Sequence, residues 1–236
     1  MTSNPDYKLS QEQIDHFMRH GWVRVPDCFS REKAAEWTAD VWTRLGFSHD
    51  DKSTWVTECT HMPEHKEEAV KTFAPKAWAA ICELLGGESR VAQDSATWND
   101  AFIVNLGTEE MAGKWPNPQE LEGWHVDGDF FVHFLDSPEQ GLLVIPLFSD
   151  IKVHGGGTMV CSDAIKGIAT HLVGWRFSCR FSVSDTNRIC HSMTIPKAYP
   201  RTWSREAGSS ASFNIDASTS TASTRPSSES VMSFMK

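Results

Sequence analysis

The chain has 236 residues and 26.4 kDa, enough for one core of ordinary size without disulfides or metal. It is 40% hydrophobic and 22% charged, the balance of a folded, water-soluble protein. With 22 Lys+Arg against 31 Asp+Glu the formal charge is -9, which repels phosphate backbones and anionic lipid surfaces, so neither nucleic acid nor membrane is expected as a partner.

Ser10-Gln11-Glu12-Gln13 has the pattern of a capping box. Ile14, Phe17 and Met18 follow at helical spacing, and Gly21 supplies a stop. Trp22-Val23-Arg24-Val25 alternates before Pro26 and predicts a strand. Ser30 is expected to cap one helix with Ala34, Trp37, Val41 and Leu45 on its apolar face, closed by Gly46. From Phe47 to Phe73 the composition is polar and irregular, which predicts a loop or lid. Pro75 starts a third helix, Lys76 to Leu85, ended by Gly86-Gly87.

The texture then changes to short strands between turn residues: Ala101–Leu106, Gly123–Val126, Phe130–Leu135, Leu142–Phe148 and Thr158–Cys161. Strands with no helical period between them predict an antiparallel sandwich or barrel behind a helical layer. Ser162 is read as the cap of a helix through Leu172. From Thr202 on, 15 of 35 residues are Ser or Thr, too few of the rest being apolar to bury a core, so disorder is expected there. Six cysteines without CxxC spacing are expected as reduced thiols in the cytoplasm, and no apolar run is long enough to cross a bilayer. Ten tryptophans, eight of them before Val173, are expected mainly to fill the core.

The chemistry-bearing motif is Trp124-His125-Val126-Asp127-Gly128-Asp129, at a strand boundary. Residues two apart on a strand share a face, so His125 and Asp127 can direct an imidazole and a carboxylate at one metal ion. A second histidine from elsewhere would complete the triad that leaves non-heme Fe(II) three open positions, two for a keto acid and one for dioxygen. The pattern H-x-[DE] alone is weak, since ten histidines and 31 acids produce about one by chance. His49-Asp50-Asp51 and His65-Lys66-Glu67 are such decoys, read as solvated loop residues for want of a strand around them. The bland alternative for His125 and Asp127 is a hydrogen-bonded histidine beside a turn aspartate. Cys59, His61 and His65 imitate a zinc cluster, but Pro63 breaks the helical spacing. His154 reads as a turn residue and His171 as a helix-end cation. Asp129, Phe131, His133 and Trp98 are candidates for a pocket, with core or rim as the default.

The opening from Leu9 to Asp27, the Ser30 helix, the Trp124–Asp127 strand and the Gly156-Gly157-Thr158 turn resemble, in that order, the phytanoyl-CoA dioxygenase-like family over roughly residues 8–172. The stretch Gly123 to Gly157 is most similar to fungal members. The resemblance implies a double-stranded β-helix, or jelly roll, in an α+β, mainly β architecture with an N-terminal helical layer. It also implies an oxidoreductase that uses Fe(II), 2-oxoglutarate and O2 to hydroxylate or desaturate a small-molecule substrate, in fungi often in secondary metabolism. Carried over, His125 and Asp127 are the first two metal ligands, and Thr158 lies near the cofactor. The implied organisation is an oxygenase-like domain 1–172, with helical layer 8–90, jelly-roll strands 100–161 and helix 162–172, followed by an atypical, disordered tail 173–236.

The sequence departs from the family at the end. A distal histidine and, about ten residues on, a cation for the far carboxylate of 2-oxoglutarate are required; His191 and Arg201 have the spacing but not the apolar strand and Gly-Asp turn that should surround them. If Val173 begins with GT and Ser192 is AGT, residues 173–191 read as a retained intron, and the shifted frame beyond can encode Tyr-Asp-His-Pro-Glu-Gly-Val, similar to fungal relatives. Three alternatives follow: an active oxygenase, an inactive mis-spliced or truncated relative lacking the last barrel strands, and a jelly-roll binding module without metal chemistry.

Overall fold

The computed structural model describes residues 6–107, 110, 114, 117, 124, 142–151, 159–174, 212–214 and 229–233. Helix α1, Gln11–His20, begins at Ser10, whose side chain accepts from the Gln13 backbone N–H while the Gln13 side chain accepts from the Ser10 N–H. The reciprocal pair satisfies two otherwise orphaned donors, as the capping-box pattern predicts. Gly21 ends the helix with φ +75°, a left-handed conformation that favours glycine, and a Cβ there would make the end of the Ile165 side chain in the helix Ser162–Gly174 turn aside.

Strand β1, Trp22–Pro26, alternates as expected: Val23 and Val25 are buried and Arg24 is exposed. Ser30 caps α2, Arg31–Thr38, by accepting from the Lys33 N–H. The single helix expected here is broken, and α3, Val41–Leu45, restarts after Ala39-Asp40. At the break the Thr38 hydroxyl donates to the Ala34 carbonyl at 2.9 Å, a side-chain bond that competes with the ladder. Trp37 and Val41 are nevertheless both buried, so the apolar face survives the interruption.

The stretch expected as a loop or lid is built into the fold. It contains β2, Cys59–His61, and β3, Glu67–Ala69, followed by the short helix α4, Val70–Phe73. β2 pairs antiparallel with β5, Ile103–Asn105, and β3 with β4, Thr97–Asn99. Backbone bonds from Met62 to Phe102 and from Leu106 to Glu58 extend the first pairing at both ends. Between them lies α5, Pro75–Leu85, with Pro at its first turn and Gly86 at φ +84° after its last.

Strand β6, Leu143–Pro146, falls within the expected Leu142–Phe148 run. The expected strand at Thr158–Cys161 is not formed over 159–161: the Cys161 carbonyl already accepts from Ala164 N–H, opening α6, Ser162–Gly174. Two segments of the Ser/Thr-rich stretch are strands, β7, Ser212–Asn214, and β8, Glu229–Ser233. β8 lies between β1 and β6, antiparallel to both, with Val23 opposite Met232 and Ile145 opposite Val231. β7 runs parallel to β5. Antiparallel pairing thus predominates among the described strands, with helices against it.

The core is aromatic. Phe29, Trp37, Phe73, Trp98, Phe102 and Phe148 form a connected set, with Trp37 and Phe73 centroids 4.6 Å apart and Phe29 and Phe148 5.0 Å apart. Edge and tilted contacts of this kind add stabilisation to the area that large rings bury. The set draws on α2, α4, β4 and the segments beside β5 and β6, so it joins the helical layer to the sheets.

Candidate functional site

His125 and Asp127 lie outside the described residues, as do Asp129, Phe131, His133, His154, Thr158, His191 and Arg201. His171 belongs to α6, but its side chain is not among those described. What is described is the framework on either side of the His125–Asp127 run. Upstream, β5 and its flanks bury Phe102, Ile103, Val104 and Leu106; downstream, β6 and its continuation bury Ile145, Leu147 and Phe148. Phe102 and Phe148 make a T-shaped contact with ring centroids 5.1 Å apart, which joins the residue before β5 to the residues after β6. Trp124, immediately before His125, is half-buried.

The other candidates have plain positions. Trp98 packs against Phe29 and Phe73 in the aromatic set, the core reading. His49 is exposed and bonded to the Asp50 carboxylate at 2.6 Å. Cys59 and His61 are both exposed on β2, two residues apart, and His65 is exposed further on. Although the residue as a whole is exposed, partial desolvation of its sulfur, and next the Glu58 charge, push the Cys59 thiol up, which disfavours the thiolate that a zinc ligand needs. Among the described residues no three of His, Cys, Asp or Glu converge on a possible metal position.

Two polar groupings carry no sequence motif. The first is Asp100, fully buried just after β4. One of its carboxylate oxygens accepts from Arg44 Nη1 at 2.7 Å, and the other from the backbone N–H groups of His65 and Lys66 at 2.7 and 2.9 Å. Arg44 also donates to the Asp100 and Pro63 carbonyls. Burial alone would raise the Asp100 pKa; the two backbone donors, then Arg44, outweigh it and hold the carboxyl below its ordinary range. The pair therefore ties α3, the 63–66 segment and the end of β4 together. The sequence signal was a lone acid inside the apolar run from Trp98 to Leu106.

The second is on α1. His16 and His20 stand one turn apart with ring centroids 4.6 Å apart, and the His16 and Trp22 rings form a T-shaped pair with centroids 4.3 Å apart. His16 Nε2 is buried and has no hydrogen-bond partner. Burial first, then His20 and Arg19, push its pKa down, so the ring is neutral at pH 7.

Comparison with protein-family models, curated proteins and solved structures finds no match to this chain. Among the described residues no helix is long and apolar enough to cross a membrane.

Proposed function

We propose that the chain is an Fe(II)- and 2-oxoglutarate-dependent oxygenase of the phytanoyl-CoA dioxygenase-like kind, acting on a small organic molecule within a jelly-roll framework. The observation that carries this reading is the run Trp124-His125-Val126-Asp127-Gly128, in order after the Ser10-capped helix, the β1 strand and the Ser30-capped helix. An imidazole nitrogen and a carboxylate oxygen on alternate strand positions are a donor set that ferrous iron accepts. His125 and Asp127 would hold the ion; His191 and Arg201 have the spacing of the third ligand and of the cation for the far carboxylate of 2-oxoglutarate, without the surroundings. Bound iron would supply dioxygen activation coupled to decarboxylation of 2-oxoglutarate. The chain's own contribution would be to orient the two small molecules and exclude water.

The runner-up is an inactive, mis-spliced relative. The Ser/Thr-rich composition from Thr202 and the polar surroundings of His191 favour it. A jelly-roll binding module without metal is the third reading. The test is anaerobic addition of Fe(II) and 2-oxoglutarate to the purified chain, followed by air. A weak visible charge-transfer band, then succinate, both abolished by His125→Ala, are expected. A folded chain giving neither would overturn the oxygenase reading in favour of a binding or inactive protein, and transcript sequence lacking GT and AG at codons 173 and 192 would remove the splicing explanation.

A further inference from the structure

We propose that His16 and His20 form a two-imidazole clip for a borderline divalent transition cation of the Ni(II), Cu(II) or Zn(II) class, separate from the His125–Asp127 run. Residues four apart lie on one face of a helix, so α1 fixes both rings on the same side without any loop having to order. Two imidazoles bound to one ion at about 2.1 Å and at near-right angles stand with centroids about 4.5–5 Å apart. The observed 4.6 Å falls in that interval.

The independent observation is the orphan nitrogen. A buried ring nitrogen with no partner loses its hydration without compensation, and buried polar atoms left this way call for a cause such as an ion. The T-shaped contact with Trp22, at 79° between planes, holds the His16 ring. A ligand imidazole must be neutral, and burial, His20 and Arg19 favour that form of His16. Arg19 also opposes a bound cation, while Glu12, one turn before His16, and the carboxyl-terminal end of the helix dipole favour it. With no third protein ligand among the described residues, the other coordination positions fall to water, which makes this an exchangeable site rather than a closed structural one.

The bound ion would staple the last turn of α1 just before Gly21, where the chain turns into β1. The full chain, stripped with EDTA and titrated with NiCl2, should bind about one equivalent and unfold at higher temperature. His20→Gln and His16→Gln should each weaken Ni(II) binding by roughly tenfold or more, as expected for the loss of one of two imidazole ligands, and cancel the thermal shift. Titration in a His125→Ala/Asp127→Ala background keeps the test apart from the proposed oxygenase site: the clip must persist there. Unchanged Ni(II) affinity in His20→Gln, or loss of binding in the His125/Asp127 background, overturns the proposal. His20 is only half-buried, so if His16→Gln fails to fold, the His20 variant still decides.

Discussion

Residues 6–106 combine locally signalled helices with their own strand pairs, whereas the described strands after Leu142 rest on backbone ladders to distant partners. In the first region α1, α2 and α5 carry local signals, a capping serine, a terminal glycine or a proline at a first turn, and side-chain bonds help to lock the elements together. Gln13 shows this economy: its carbonyl oxygen accepts from Tyr7 Oη and the Ser10 N–H, and its amide donates to the Arg24 carbonyl of β1. In the second region β7 and β8 join by backbone ladders to strands far away in sequence. Local signals set a conformation before the fold exists, whereas ladders need a partner already in place. The first region should therefore tolerate damage to the second better than the reverse.

The largest expected effect falls on the clamp inside the first region. Asp100→Ala leaves Arg44 buried without its counter-charge and two backbone donors unpaired, and should cost about 3–5 kcal/mol in urea unfolding. A loss below about 1 kcal/mol would mean that water reaches Arg44 and the pair is not a buried one. Because the folded pKa of Asp100 is depressed, its contribution is present above the unfolded carboxylate pKa and is lost as pH falls through the folded value. Stability measured from pH 6 downward should accordingly show a shallower acid decline in Asp100→Asn.

Next comes the joint between the regions. Phe148 touches Phe29, Trp37, Phe73 and Phe102, so Phe148→Ala removes the ring through which the residues after β6 reach the helical layer. A cost of about 3 kcal/mol is expected, the usual scale for emptying a buried phenyl site. Val231→Pro probes the ladder itself, since β8 is the middle strand and proline deletes a donor there. About 2 kcal/mol is expected from the unmade bond and the acceptor left behind. If far-UV circular dichroism and the urea midpoint are unchanged by Val231→Pro, β8 does not bridge β1 and β6 in solution.

The elements legible in the sequence were those that signal locally. Ser10, Gly21, Ser30, Gly46, Pro75 and Gly86 marked helix ends, and all stand at or beside them. The stretch from Phe47 to Phe73 was misread because its strands present polar side chains: Cys59 and His61 face out from β2, and Glu67 begins β3. Their apolar contribution comes just after each strand, from Met62 and from Val70, where period-two alternation does not look for it. The break in the Ser30 helix falls at Ala39-Asp40, which the apolar spacing on either side does not mark. Of the functional reading, His125 and Asp127 rest on pattern and resemblance and lie outside the described residues, while Asp100 and the His16–His20 pair emerge only from packing. Asp100 looked like one acid among 31 until the fold buried it.

The smallest effect expected is at the caps, and it separates local from tertiary contributions within the first region. Ser10→Ala removes one acceptor at an exposed helix start and should cost about 1 kcal/mol, as should Ser30→Ala. Gln13→Ala should cost more than Ser10→Ala, because the same side chain closes the capping box, receives Tyr7 and reaches β1. Equal losses for Gln13→Ala and Ser10→Ala in urea titration would reduce Gln13 to its capping role. A double substitution refines the point: with both residues in one network, the combined loss should fall short of the sum of the two. Additive losses would instead mean that the bond from Gln13 to β1 acts independently of the cap, and that α1 is held to the sheet whether or not its first turn is satisfied.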